Sequence, residues 1–260
     1  MLKTEAHFRA MEQNVVLRFS HAFNARFVTN PPIGSIIGWA NTALGAQDEI
    51  FADHLLAANA RFALIEFKAS FFAIRTEAKK PLREKLFKSL ALHNDVLRRC
   101  LDFHFVCWGT IHQHASPGAS VPIEEEIDYL NHYAVHVAPY MKTALRLRPV
   151  ADLTTEEFLD RFLGSRMVGG TVERFRQYVD ELGKLAEGGQ EDASSIEGMV
   201  YVYLPRNDQS PARYAGVRFR GIKQLELLLN PKVKEKTYEV EYSRGRSRKL
   251  RADPDFDHDM

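Results

Sequence analysis

The sequence predicts a fold of class α/β (α+β), in which helices and strands share one chain of 260 residues. The first observation is a pair of apolar-rich runs, 50–56 and 62–69, separated by a turn-like segment. The second is the aromatic and β-branched run FHFVCW at 103–108, which is typical of a buried strand. The third is a set of helix-like segments on either side of these runs. Hydrophobic residues make up 45% of the chain, which is enough for a sizeable core.

Two helices are expected before the strands. Residues 4–28 place apolar side chains loosely at a helical period, and the Pro31-Pro32 pair that follows ends this helix. Residues 35–44 are apolar and include Trp39, which indicates a second helix with Ser35 as its N-cap.

The runs 50–56 and 62–69 predict a β-hairpin with Asn59 and Ala60 in the turn. This register places Asp53 directly opposite Glu66, and Lys68 lies two residues further on the same face. Neighbouring carboxylates destabilise a sheet, whereas a divalent cation such as Mg²⁺ binds their oxygens. The hairpin therefore predicts a metal site suited to hydrolysis.

Asp53, followed thirteen residues later by Glu66-Phe67-Lys68, resembles the D…(D/E)xK signature of the PD-(D/E)xK nuclease superfamily. The resemblance covers roughly residues 35–110 and implies a restriction-endonuclease-like mixed central sheet flanked by helices. It also implies that Asp53 and Glu66 hold Mg²⁺, or Mn²⁺ as a substitute, with the Phe67 carbonyl as a further ligand. Lys68 would serve the attacking water, so Asp53, Glu66 and Lys68 are the candidate catalytic residues.

The chain departs from the superfamily pattern in two places. Ala52 precedes Asp53 where proline is usual, and residues 35–46 lack the glutamate that many members carry on the preceding helix. Glu49 and the distant Glu12 are the alternatives for that acid. These departures leave three hypotheses open: a metal-dependent nuclease, a catalytically inactive module of the same fold that binds nucleic acid or protein, and an unrelated α+β interaction protein.

Basic residues follow the hairpin. Pro81 is suited to the first turn of a helix whose leucine stripe continues to Cys100. Because the formal net charge is only +1, any contact with nucleic acid must come from local patches. A solvated helix face is the alternative interpretation of this patch. The residues expected to contact phosphate are Lys79, Lys80, Arg83, Lys85 and Lys88 here, with Arg218 and Arg220 in a later strand.

The middle of the chain predicts a loop over 109–122 and a helix over 123–141, with Glu124 to Glu126 in its first turn. The His112/His114 and His132/His136 pairs lack the further ligands of a zinc site. Thr154 and Glu157 form a capping-box pattern for a helix to about residue 163, and a further helix is expected over 171–185.

The predicted organisation is a nuclease-like core with a helical insertion over 1–187 and a linker over 188–196. A small C-terminal β-rich part over 197–243 and a charged, disordered tail over 244–260 follow.

No apolar run reaches the roughly 18 residues of a membrane span, and the N-terminus has no signal-like apolar core. The two cysteines do not form a disulfide framework, which fits a reducing cytoplasm. The expected partner is nucleic acid, DNA before RNA, with no membrane. A second copy of the chain or another protein is a further potential partner.

Overall fold

The computed structural model describes residues 2–28, 37–58, 61–114, 123–164, 168–186, 192–204 and 213–229. The helices are α1 (Leu2–Val28), α2 (Pro81–Leu92), α3 (Asn94–Phe103), α4 (Tyr133–Val137), α5 (Thr155–Leu163), α6 (Val172–Leu185) and α7 (Ile222–Leu229). The strands are β1 (Ile37–Ala43), β2 (His54–Ala58), β3 (Arg61–Lys68), β4 (His104–His114), β5 (Ile123–His132), β6 (Leu153–Thr154), β7 (Glu197–Leu204) and β8 (Arg213–Arg220). A 3₁₀ segment, Phe71–Lys79, connects β3 to α2.

Within these ranges the strands form one eight-stranded mixed sheet in the order β6-β5-β4-β3-β2-β1-β7-β8. β3 and β4 are parallel, and the 3₁₀ segment, α2 and α3 form the crossover between them. The other neighbouring strands are antiparallel. The mixed α/β class predicted from the sequence is therefore confirmed.

The predicted hairpin register is confirmed, because His54 pairs with Ile65 and Ala58 pairs with Arg61. β2 begins at His54, so the first strand is shorter than predicted and Asp53 lies just before its first paired residue. The predicted turn residues, Asn59 and Ala60, lie outside the described residues.

Helices cover both faces of the sheet. On β3, Leu64 packs into the core cluster that includes residues of α2, α3 and α6. Ile65 and Phe67 face the other way, into the cluster that includes residues of α1 and α5. Since strand side chains alternate between faces, Glu66 and Lys68 share the α2 and α3 face with Leu64. The chemistry-bearing residues of the hairpin thus lie on one face, towards the crossover.

The predicted helix over 35–44 is wrong, because residues 37–43 form β1 between β2 and β7. Trp39 and Ala40 are buried, and the Trp39 ring stacks on Phe27 of α1 at 4.6 Å between centroids. Pairing on both sides of the strand satisfies backbone groups that a helix would have satisfied internally. The proposed cap Ser35 lies outside the described residues.

The predicted loop from residue 109 and the predicted helix over 123–141 are also wrong in part. β4 continues to His114 and pairs with β5, so Glu124 to Glu126 lie on a strand. The helix is reduced to α4, with a short 3₁₀ turn after it. Ten consecutive residue pairs in the β4–β5 ladder outweigh the local helical signals of the acidic run.

Other predictions are confirmed. α1 and α6 match the predicted helices over 4–28 and 171–185 closely, and β7 and β8 lie within the predicted β-rich part over 197–243. The capping box of Thr154 and Glu157 is present at the start of α5, and Pro81 opens α2. The helix predicted to reach Cys100 is divided at His93 into α2 and α3.

β7 pairs with β1, so β7 and β8 continue the main sheet. The predicted tail and part of the predicted linker lie outside the described residues. Within the described part of the chain, no helix is both long enough and apolar enough to cross a membrane.

Candidate active site at the end of the hairpin

The structure brings the three predicted catalytic residues together at one end of the β2–β3 hairpin. The backbone oxygen of Asp53 accepts a hydrogen bond from Leu44 N–H at 2.9 Å, which fixes the chain before β2. The Asp53 carboxylate accepts the N–H of Phe67 at 2.5 Å. Glu66 and Lys68 flank Phe67 on β3, and both are buried.

A third acid, Glu77 of the 3₁₀ segment, lies beside Glu66 and is equally buried. Lys68 Nζ lies 2.9 Å from Glu66 Oε1 and 3.1 Å from Glu77 Oε1. Lys68 Nζ also donates to the Phe67 carbonyl oxygen at 2.7 Å. Its ammonium group therefore donates hydrogen bonds to Glu66 Oε1 and the Phe67 carbonyl oxygen, and it lies within ion-pair distance of Glu77 Oε1, an oxygen that accepts no hydrogen bond from the described residues.

Lys80 contacts the same two carboxylate oxygens as Lys68. Its Nζ lies 2.6 Å from Glu66 Oε1 and 2.8 Å from Glu77 Oε1. Lys80 stands directly before α2, where the chain leaves the 3₁₀ segment. The two lysines thus share the same pair of oxygens, Glu66 Oε1 and Glu77 Oε1.

Arg83 contacts the second carboxylate oxygen of each of these two acids. Its guanidinium nitrogens lie 3.4 Å from Glu66 Oε2 and 3.4 Å from Glu77 Oε2. The Tyr133 hydroxyl donates to Glu77 Oε2 at 2.7 Å, and the guanidinium lies over the Tyr133 ring at 5.5 Å. Because Arg83 is only 1% exposed, this frame is part of the core.

The structure also distinguishes between the two acids considered for the preceding helix. Burial raises the pKa of Glu12 on α1, and the charges of Lys68 and Glu66 act on it in opposite directions. The charges of the cluster thus act on Glu12, although α1 packs on the opposite face of the sheet. Glu49 is exposed in the turn before β2.

The charges of the site shift the pKa of each group in a definite direction. Burial and the neighbouring Glu66 raise the pKa of Asp53 to about 7. Burial opposes ionisation of Glu66, but Lys68, Arg83 and Lys80 together hold its pKa well below its usual range. Burial disfavours the Lys68 ammonium, yet Glu66 and Glu77 raise the pKa of Lys68 above its usual value. At neutral pH Lys68 is therefore protonated, and both the protonated and the ionised form of Asp53 are populated.

The donor atoms fit a hard divalent cation. The Asp53 and Glu66 carboxylates and the Phe67 carbonyl are oxygen donors, which Mg²⁺ prefers. Among the described residues, no group of three or more His, Cys, Asp or Glu side chains is arranged to hold a metal. Two carboxylates remain sufficient for Mg²⁺, which commonly keeps several waters and binds substrate phosphate.

The residues expected to contact phosphate lie in different environments. Arg83 does not lie on a phosphate-facing surface, because it is buried against Glu66 and Glu77. Lys80 is engaged with the same acids, whereas Lys79 and Lys85 are exposed. Lys88 is exposed and pairs with Glu84.

Arg218 and Arg220 are exposed on β8, and Arg220 pairs with Glu197. β8 is four strands from β3 in the sheet, which at strand spacing is roughly 19 Å. These two arginines therefore lie away from the hairpin cluster.

Sequence reasoning did not identify Glu77 and Tyr133 as part of the site. A usable signal was present, since Glu77, Lys80 and Arg83 recur every third residue. Residues at this spacing lie on one face of a helical segment. Tyr133 carried no comparable signal, because its contact depends on where β5 ends.

Comparison with known proteins does not identify a relative. No family model matches the chain, and searches of curated proteins and of solved structures gave no match.

Proposed function

We propose that the chain is a Mg²⁺-dependent nuclease of the PD-(D/E)xK superfamily, with a restriction-endonuclease-like fold, that hydrolyses phosphodiester bonds of DNA or RNA. The observation that carries the proposal is the convergence of Asp53, Glu66, Phe67 and Lys68 at one end of a hairpin within a mixed sheet. A cytoplasmic location accords with this proposal, since nucleic acid is the substrate.

In this proposal Asp53, Glu66 and the Phe67 carbonyl hold the metal. Mg²⁺ in this position would activate the attacking water and neutralise charge on the phosphate. Lys68 is already protonated, donates hydrogen bonds to Glu66 and Phe67 and pairs with Glu77, so it cannot accept a proton from the water. Its role is to stabilise negative charge that develops on the phosphate oxygens.

Glu12 supplies the acid that many members of the superfamily carry on the helix before the sheet. The effect of the charges of Lys68 and Glu66 on the pKa of Glu12 supports this assignment over Glu49. Glu12 would orient a water at the edge of the site. Lys79 and Lys85 are exposed near the start of α2 and would contact the phosphate backbone.

A second candidate is a catalytically inactive module of the same fold that binds nucleic acid or protein. It is favoured by the contacts of Glu66 and Glu77, which Lys68, Lys80 and Arg83 already neutralise in a buried network. Such a network is compatible with a purely structural role. The two candidates differ in whether a divalent ion binds and whether phosphodiester bonds are cleaved.

The test compares wild type with Lys68→Met, and uses Lys184→Met on α6 as the matched control because Lys184 is exposed and distant in sequence. Supercoiled plasmid, single-stranded DNA and RNA are incubated with Mg²⁺, with Mn²⁺ or with EDTA. We expect metal-dependent cleavage by wild type and the control, and a loss of about a hundredfold or more in Lys68→Met.

A folded Lys68→Met protein that cleaves like wild type overturns the assignment of Lys68. Absence of cleavage by wild type, together with no metal-dependent rise in its melting temperature, supports the inactive module instead.

A further inference from the structure

Lys80 and Lys68 compete for one pair of carboxylate oxygens. Each ammonium nitrogen lies within 3.1 Å of both Glu66 Oε1 and Glu77 Oε1. Both oxygens therefore face the same space, and a single cation can contact the two together.

Formal charge shows which cation is in excess around these acids. Lys68 and Arg83 alone balance Glu66 and Glu77, so Lys80 is the third cation on two carboxylates. Lys80 can therefore leave while two cations still balance the two acids, which matters because charges interact strongly at a buried site.

The two lysines differ in how easily they can leave. The Lys68 side chain is 7% exposed, and its ammonium also donates to the Phe67 carbonyl oxygen. The Lys80 side chain is 36% exposed and stands at the junction between the 3₁₀ segment and α2. Moving the Lys80 ammonium to solvent therefore requires no movement of a strand.

We propose that Lys80 is a displaceable internal cation, which fills the gap between Glu66 and Glu77 in the metal-free protein and gives it up when a divalent ion binds. This inference rests on the proposed metal site and adds Glu77 to its ligands. The released ammonium of Lys80 reaches the surface beside the site, where it is available to a substrate phosphate. Binding of metal and recruitment of phosphate are then coupled through one side chain.

The first experiment measures the exposure of each lysine directly. Full-length wild-type protein is treated briefly with an acetylating reagent, with and without Mg²⁺, and each lysine is quantified by mass spectrometry. We expect acetylation of Lys80 to rise severalfold with Mg²⁺, while Lys68 stays protected and exposed Lys184 is unchanged. An unchanged rate at Lys80, in a protein that calorimetry shows to bind Mg²⁺, overturns the inference and leaves the metal site intact.

The second experiment measures Mn²⁺ affinity by calorimetry for wild type, Lys80→Met, Lys184→Met and Glu77→Gln. Removal of a competing cation should tighten Mn²⁺ binding by about tenfold or more. Glu77→Gln should weaken it, and Lys184→Met should match wild type. Equal or weaker binding by Lys80→Met overturns the displacement model. Absence of Mn²⁺ binding by wild type and by Lys80→Met overturns the proposed metal site itself, and the displacement model with it.

Discussion

The N–H of Phe67 donates a hydrogen bond to the Asp53 carboxylate at 2.5 Å, although the two residues belong to opposite arms of the hairpin. A side chain thus continues the pairing beyond the last backbone pair of β2 and β3. The same contact places the carboxylate next to Glu66, and burial together with Glu66 raises the pKa of Asp53 to about 7. Asp53 is therefore held in a position that disfavours its charged form.

Asp53→Asn should stabilise the metal-free protein. Between pH 3.8 and about 7 the folded state keeps a proton that the unfolded chain has lost, so the free energy of unfolding falls as pH rises through this interval. The substitution removes this decrease in the free energy of unfolding. It should therefore stabilise the protein by about 1–3 kcal/mol at pH 8, with no gain in stability near pH 4. Urea unfolding in EDTA at a series of pH values measures the difference.

The same variant should lose its response to metal. Mn²⁺ should raise the melting temperature of wild type and leave Asp53→Asn unchanged, because ligand binding to the native state alone stabilises it. Asp48→Asn, five residues earlier in the turn, is the matched control. An equal rise in both variants would show that Asp53 is not part of the proposed metal site.

Substitution of Glu12 and of Glu49 tests which of the two supplies the acid that many members of the superfamily carry on the helix before the sheet. Glu12→Gln should weaken metal-dependent cleavage by about tenfold or more, because the variant cannot carry a negative charge beside Lys68 and Glu66. Glu49→Gln changes an exposed side chain and should keep wild-type activity. Cleavage rates at saturating Mg²⁺ measure both, and the reverse order of effects would assign the role to Glu49.

Arg83→Met should be strongly destabilising. Glu66 and Glu77 each lose a buried partner, and the carbonyls of Ile50 and Phe51 lose a donor. Breaking a buried ion pair in this way costs about 3–5 kcal/mol. The measurement is urea unfolding, with exposed Arg98→Met on α3 as the control expected to stay within about 0.5 kcal/mol of wild type. Similar free energies of unfolding for the two variants would show that Arg83 does not stabilise the acids.

His54 should make stability depend on pH in the opposite sense to Asp53. Burial lowers the pKa of His54 to about 4, and its ring hydrogen-bonds to Asn41 Oδ1 at 3.0 Å. Between pH 6.5 and about 4, His54 binds a proton in the unfolded chain but not in the folded state, so the free energy of unfolding falls as pH decreases. Relative to His54→Gln, wild type should lose about 2–3 kcal/mol across this interval. A difference between the two proteins that stays constant with pH would contradict the prediction.

The hairpin was predictable because its signals are local. The prediction of a turn at Asn59 and Ala60 gives a register, and that register places Asp53, Glu66 and Lys68 on one face without knowledge of the rest of the fold. The partners of Glu66 were not predictable in the same way. Lys80 and Arg83 resemble an ordinary basic helix face in the sequence, and only docking of the crossover turns them towards the acids.

The errors have a common physical origin. Residues 37–43 and 123–132 are strands because neighbouring strands offer them long ladders of hydrogen bonds. Trp39 and the acidic run from Glu124 to Glu126 carry no local sign of those neighbours. Sheet pairing between distant segments overrode the local pattern in both places.

The crossover between β3 and β4 also sets an order of events during folding. A hairpin forms from residues close in sequence, whereas the parallel β3–β4 pair must wait for the whole crossover. Until α2 docks, Asp53 and Glu66 lie together without Arg83, and their repulsion opposes the early structure. We expect refolding, followed by stopped-flow fluorescence of Trp39 and Trp108, to be faster in millimolar Mg²⁺ and slower in EDTA. The Mg²⁺ ion proposed for catalysis would then also accelerate folding to the native state.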